Sequence, residues 1–96
     1  MREITPPEVA DRPLIDVREP HEWQQGHAEG AVHIPMSQIV ERLHEVPDGA
    51  AVICRTGGRS GQVVAYLEHQ GLDAVNVAGG TVAWAAAGRP MIGTID

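Results

Sequence analysis

Cysteine occurs once in this sequence, and lysine and phenylalanine do not occur at all. A lone cysteine excludes an intramolecular disulfide framework and leaves one free thiol, Cys54. Without lysine, any fixed contact to an anion must come from arginine or from backbone N–H groups. With only Trp23, Trp84 and Tyr66 as aromatics, the core must be built from Val, Ile, Leu and Ala. No stretch approaches the ~20 consecutive apolar residues of a membrane-spanning helix. Met1-Arg2-Glu3-Ile4-Thr5-Pro6 also lacks the apolar run of a secretory signal, so the expectation is a cytoplasmic protein. Positive charge is short as well: 13 acidic side chains face 7 basic ones, a formal charge of −6. That balance repels phosphate backbones and anionic lipid, which argues against nucleic-acid or membrane partners. No Cys-x-x-Cys, His-x-x-x-His pair or carboxylate cluster is present, so neither a metal nor another cofactor is expected.

What the chain does contain is a regular alternation of short apolar runs and helical patterns. Leu14-Ile15-Asp16-Val17, Ala31-Val32-His33-Ile34 and Ala74-Val75-Asn76-Val77 read as strands, and residues 2–4 as an edge strand. Ala50-Ala51-Val52-Ile53-Cys54 is continuously apolar, the mark of a strand covered on both faces in a parallel sheet. Thr5-Pro6-Pro7-Glu8 has the form of a capping box with proline in the first turn. Ser37 is placed to cap a helix bearing Ile39, Val40 and Leu43 on one face. Residues 60–70 carry a Val63, Val64, Leu67 stripe ended by Gly71, and Thr81 to Ala87 form an alanine-rich helix stopped by Gly88 and Pro90. With no repeats or linkers, the pattern predicts one α/β domain over residues 1–96, with a small, mainly parallel sheet.

The chemistry is concentrated in Cys54-Arg55-Thr56-Gly57-Gly58-Arg59-Ser60-Gly61. The thiol sits at the carboxyl end of the most apolar strand, the edge where open α/β sheets bind ligands. Gly57 and Gly58 allow the backbone to curl, and a curled loop entering a helix aims several N–H groups into one hollow. Arg55 and Arg59 add positive charge. An ordinary cysteine, with a pKa of about 8.5, is only ~3% thiolate at pH 7. A helix N-terminus beside arginine lowers that pKa, so Cys54 is predicted to be a nucleophile with a depressed pKa. A cysteine ending a buried strand is otherwise a small apolar filler, but filler needs no anion nest. Loop width separates the candidate reactions. Arg59 follows Cys54 with four residues between. Cysteine phosphatases, and arsenate reductases built like them, use a loop one residue wider to hold a tetrahedral oxyanion, which would put arginine where Ser60 stands. The tighter loop suits one extra sulfur atom on Cys54.

At this point the chain resembles the rhodanese family in its single-domain form. Leu14-Ile15-Asp16-Val17-Arg18-Glu19 is similar to that family's Asp-Val-Arg motif, and Gly26-His27-Ala28-Glu29-Gly30-Ala31-Val32-His33-Ile34-Pro35 to its Gly-His-Ile-x-Gly-Ala-x-Asn-Ile-Pro segment. The Cys54 loop resembles its active loop, and Gly79-Gly80 with Trp84 and Gly88-Arg89-Pro90 its closing motif. Ala28, His33 and Leu72 depart from the usual Ile, Asn and Phe. The resemblance implies a rhodanese-like five-stranded sheet with helices on both faces. It implies sulfurtransferase activity through a Cys54 persulfide, cradled by the amides of Arg55, Thr56, Gly57, Gly58, Arg59 and Ser60. It also implies a small anionic, thiosulfate-like sulfur donor and an external thiol or cyanide as acceptor, with Arg55 and Arg59 as donor contacts.

Arg18 is a further candidate for substrate contact, set against a structural reading in which it pairs with a nearby carboxylate while Asp16 holds backbone N–H groups. His27 reads as a hydrogen-bonded structural residue and Trp84 as core. Two other functions stay open from the residues: a non-catalytic rhodanese-like binding or regulatory domain, and an arsenate reductase or phosphatase.

Overall fold

The computed structural model of the chain describes residues 1–95. The four consecutive apolar residues Ala50–Ile53 form a strand, β5, in which every side chain is buried. Around it lie β1 (Glu3–Ile4), β2 (Leu14–Asp16), β4 (Val32–His33) and β6 (Ala74–Val77), in the order β1-β6-β5-β2-β4. Every pairing in this five-stranded sheet is parallel. Because side chains alternate across a strand, Ala50 and Val52 point to one face and Ala51 and Ile53 to the other. The first face packs under the helix α2 (Gly58–His69) through Val63, Val64 and Leu67. The second meets Trp84 of the helix α3 (Gly80–Ala86), together with Val9. Two apolar layers thus share one sheet, the arrangement expected of an α/β chain with helices on both faces. Full burial of one side chain such as Leu67 contributes roughly 1.5–3 kcal/mol.

Two local expectations are corrected, and three elements are added. The stretch after Ser37 is not an α-helix but two 3-10 turns, Met36–Gln38 and Leu43–Glu45. Ile39 is buried but Val40 is 65% exposed, so the apolar face needed to hold a short helix against its nucleation cost is missing. The Thr5 box opens a single 3-10 turn, Pro6–Val9, with Glu8 Oε1 accepting from the Thr5 N–H at 2.8 Å. Finally, Pro20–Gln25 forms a helix, α1, and Gly26–Ala28 (β3) pairs antiparallel with Met91–Gly93 (β7) in a small second sheet.

Candidate active site

Cys54 follows the last residue of β5 and is 1% exposed. The six residues after it turn the chain back over its own sulfur and into α2. Gly57 makes the turn possible: it takes φ 112, left-handed backbone that side-chain-bearing residues avoid. From there its N–H donates to Cys54 Sγ at 3.1 Å. The Ser60 hydroxyl lies 3.2 Å from the same sulfur. Burial pushes the Cys54 thiol up, but donation from the Ser60 hydroxyl and from the N–H groups of Ser60, Gly57 and Thr56 outweighs it. The pKa therefore lies below its ordinary value.

The loop is held from outside by two elements. At α3, the N–H groups of Thr81 and Val82 donate to the carbonyls of Cys54 and Arg55 at 2.8 and 3.2 Å. Those carbonyls are thereby engaged on the α3 side, while the N–H groups that follow face the sulfur. Gly80 permits this approach, since a Cβ there would lie 2.2 Å from the Cys54 carbonyl oxygen. Behind the loop stands Asn76 in the middle of β6, 1% exposed. Its Oδ1 accepts from the Ser60 hydroxyl at 2.5 Å, and its Nδ2 donates to the Gly57 carbonyl at 3.1 Å and to Glu3 Oε2 at 3.0 Å. The buried amide is therefore satisfied at both ends, and it anchors the loop at two points.

The loop residues singled out from the sequence fall into three groups. Thr56, Gly57 and Ser60 converge on the Cys54 sulfur. Arg59, in the first turn of α2, is bound to Glu22 of α1 by Nη1 and Nη2 at 2.6 and 3.0 Å. This hydrogen-bonded pairing raises the Arg59 pKa and lowers that of Glu22 to about 2. The Cys54 charge also acts on Arg59, in the same upward direction. Arg55 and Gly58 form part of the exposed rim, and Arg55 makes no ion pair among the described residues.

Arg18 stands apart. It is 2% exposed, and its Nε and Nη2 are taken up by the Asp16 carboxylate at 2.9–3.1 Å, with Nη2 also donating to the Gly26 carbonyl at 2.7 Å. Asp16 Oδ1 accepts the Arg18 N–H as well. The guanidinium belongs to a buried network that ties β2 to β3, the arrangement of the structural reading. His27 Nδ1 bonds the Trp23 carbonyl at 3.0 Å, and Trp84 is a core residue whose Nε1 donates to the Pro90 carbonyl. Sequence reasoning missed Asn76, Glu3 and Glu22. Only Asn76 carried a signal: a lone polar side chain in a wholly buried strand must find partners.

Comparison with known proteins places this geometry in context. The family model described as "Rhodanese-like domain" matches residues 4–87. A protein named "Sulfurtransferase" from Allochromatium vinosum is 43% identical over 82 residues, covering 82% of this chain and 77% of the relative. "Thiosulfate sulfurtransferase PspE" from Escherichia coli is 40% identical over 78 residues, covering 77% of this chain and 75% of that protein. The crystal structure of a rhodanese-related protein from Thermoplasma volcanium superimposes with a TM-score of 0.88 at 32% identity, covering 96% of this chain and 98% of the other.

Proposed function

The chain belongs to the rhodanese-like domain family, and from that premise we propose that it is a sulfurtransferase working through a persulfide on Cys54. The observation that carries this reading is the convergence of the Gly57 N–H and the Ser60 hydroxyl on one sulfur, with the Thr56 and Ser60 N–H groups helping to lower its pKa. The Cys54 thiolate attacks the outer sulfur of thiosulfate or a similar sulfane donor. A sulfur–sulfur bond forms at Cys54 while the donor's own sulfur–sulfur bond breaks, and sulfite leaves with the electron pair. The terminal sulfur of the persulfide then carries the negative charge, inside a set of donors placed in advance. A thiol or cyanide attacks that terminal sulfur, takes it, and returns Cys54 as thiolate. Two half-reactions through one covalent intermediate give ping-pong kinetics. Discharge comes from an outside nucleophile, because the chain holds no second cysteine.

Arg55, on the rim and unpaired, is the cation offered to an incoming anion. Arg59 contributes its charge from its place beside Glu22, and with both terminal nitrogens engaged it is a poor clamp for a phosphoryl group. A lone thiol that has to stay reduced fits the cytoplasm; among the described residues no helix is long and apolar enough to cross a membrane. The 1% exposure of Cys54 is the one observation favouring a non-catalytic binding domain. Intact-mass spectrometry decides between the two. After incubation with thiosulfate the protein gains one sulfur atom and loses it to cyanide, while Cys54→Ser gains none. A wild-type mass unchanged by every sulfane donor tried overturns the transferase reading.

A further inference from the structure

A second concavity lies at the other end of the sheet. Leu14, which opens β2, lines a cavity of about 430 Å³ together with Trp84, Ala10, Arg12, Arg89 and Glu29. Cys54 follows the carboxyl end of the parallel neighbour β5, so cavity and thiol occupy opposite edges. None of the lining residues belongs to the Cys54 loop.

Three independent observations distinguish this cavity from an ordinary surface groove. The first is charge. Among the described residues Arg18, Arg42 and Arg59 are each paired with a carboxylate, whereas Arg2, Arg12, Arg55 and Arg89 are in no ion pair, and of these four Arg12 and Arg89 line the same cavity. On a chain of net charge −6, two such arginines line one cavity with Glu29 as its only carboxylate. The second is an unsatisfied donor. The Arg89 guanidinium lies 5.2 Å from the centre of the Trp84 ring, and its Nε is buried without an acceptor among the described residues. A buried N–H left in this way costs free energy until an acceptor arrives. Arg12 is steadied by Nη1 donating to the Gly49 carbonyl at 2.9 Å. The third is strain. Ala10 has φ 51 and ψ −124, and it is the only non-glycine residue with positive φ among those described. Such conformations cost about 1–3 kcal/mol and gather at ligand sites.

We propose that this cavity binds a small organic carboxylate, its head on Arg12 and Arg89 and its apolar body over Leu14 and Trp84. The apolar floor asks for a hydrocarbon or aromatic body, and the two guanidinium groups ask for a planar anion. Glu29 sets the charge, because it repels a phosphate dianion more strongly than a monoanion. Such a ligand bonds without any contact to the Cys54 loop, so the site is separate from sulfur transfer.

The test is a nitrogen-15 NMR titration of the whole chain with benzoate, following the Trp84 indole N–H and the Arg89 Nε–H. Benzyl alcohol serves as the neutral analogue and inorganic phosphate as the ionic control. Benzoate is expected to shift both signals to saturation, with neither control doing so. Arg89→Gln and Arg12→Gln, each with a spectrum showing the fold intact, are expected to weaken binding about tenfold, the loss of one charge-assisted bond. Shifts that never saturate, an equal response to benzyl alcohol or to phosphate, or undiminished affinity in both variants would overturn the assignment.

Discussion

Ser60 has one hydroxyl hydrogen and three acceptors within reach: Asn76 Oδ1 at 2.5 Å, Cys54 Sγ at 3.2 Å and the Gly57 carbonyl at 3.3 Å. With the thiol protonated, S–H can donate to Ser60 while Ser60 donates to Asn76. With the thiolate, the hydroxyl turns to the sulfur, where its dipole counters the charge. Ser60→Ala removes this donor and leaves the backbone ones. The Cys54 pKa in that variant is expected to rise relative to wild type, read from thiolate absorbance against pH. Sulfur uptake at pH 7 is expected to slow roughly ten- to a hundred-fold, the worth of one hydrogen bond to a charged group. An unchanged titration would mean that the amides alone set the thiol's acidity. At this scale the sequence made Cys54 and its loop legible, because the glycines and arginines stand next to it in the chain. The support from Asn76 and Glu3 was hidden, since it comes from residues far away in sequence that only the sheet brings near.

Glu22 and Arg59 join α1 to the first turn of α2 with a two-point ion pair, partly open to solvent. The Glu22 carboxyl, at about 2 in the folded protein, ionises near 4.3 when unfolded. Its depressed value adds stability at all pH above the unfolded pKa, and that share fades as pH falls from there toward 2. Solvent screening limits the contribution to roughly 1 kcal/mol. In urea unfolding series, Glu22→Gln is expected to be less stable than wild type by about that amount at pH 7, with the two converging near pH 2. A gap that stays constant across the acid range would remove the ion pair as its cause. Elements differed in how well they could be read. The β5–α2 unit announced itself through a wholly apolar run, a glycine turn and an apolar stripe. Helix α1 fully buries no side chain and has no stripe to find. The stretch after Ser37 failed in the opposite sense, because Ile39, Val40 and Leu43 suggested a face that tertiary packing uses only at Ile39 and, in part, at Leu43.

Both apolar layers of the molecule rest on the same few strands, with Leu67 in one and Ile53 in the other. Leu67→Ala is expected to cost about 2–5 kcal/mol and Ile53→Val about 0.5–1.5 kcal/mol. As the sheet separates them, the double variant is expected to lose the sum to within about 0.5 kcal/mol. It should also unfold in a single transition whether followed by tryptophan emission or by circular dichroism. A shortfall well beyond that margin, or two transitions, would show that the layers do not melt as one body. The 1% exposure of Cys54 has a consequence at this scale too. A sulfur so closely roofed is sorted by the girth of whatever approaches it more than by its appetite for electrons. Thiosulfate, small and narrow, is expected to reach the thiolate readily, while a broad disulfide is expected to react with it far more slowly.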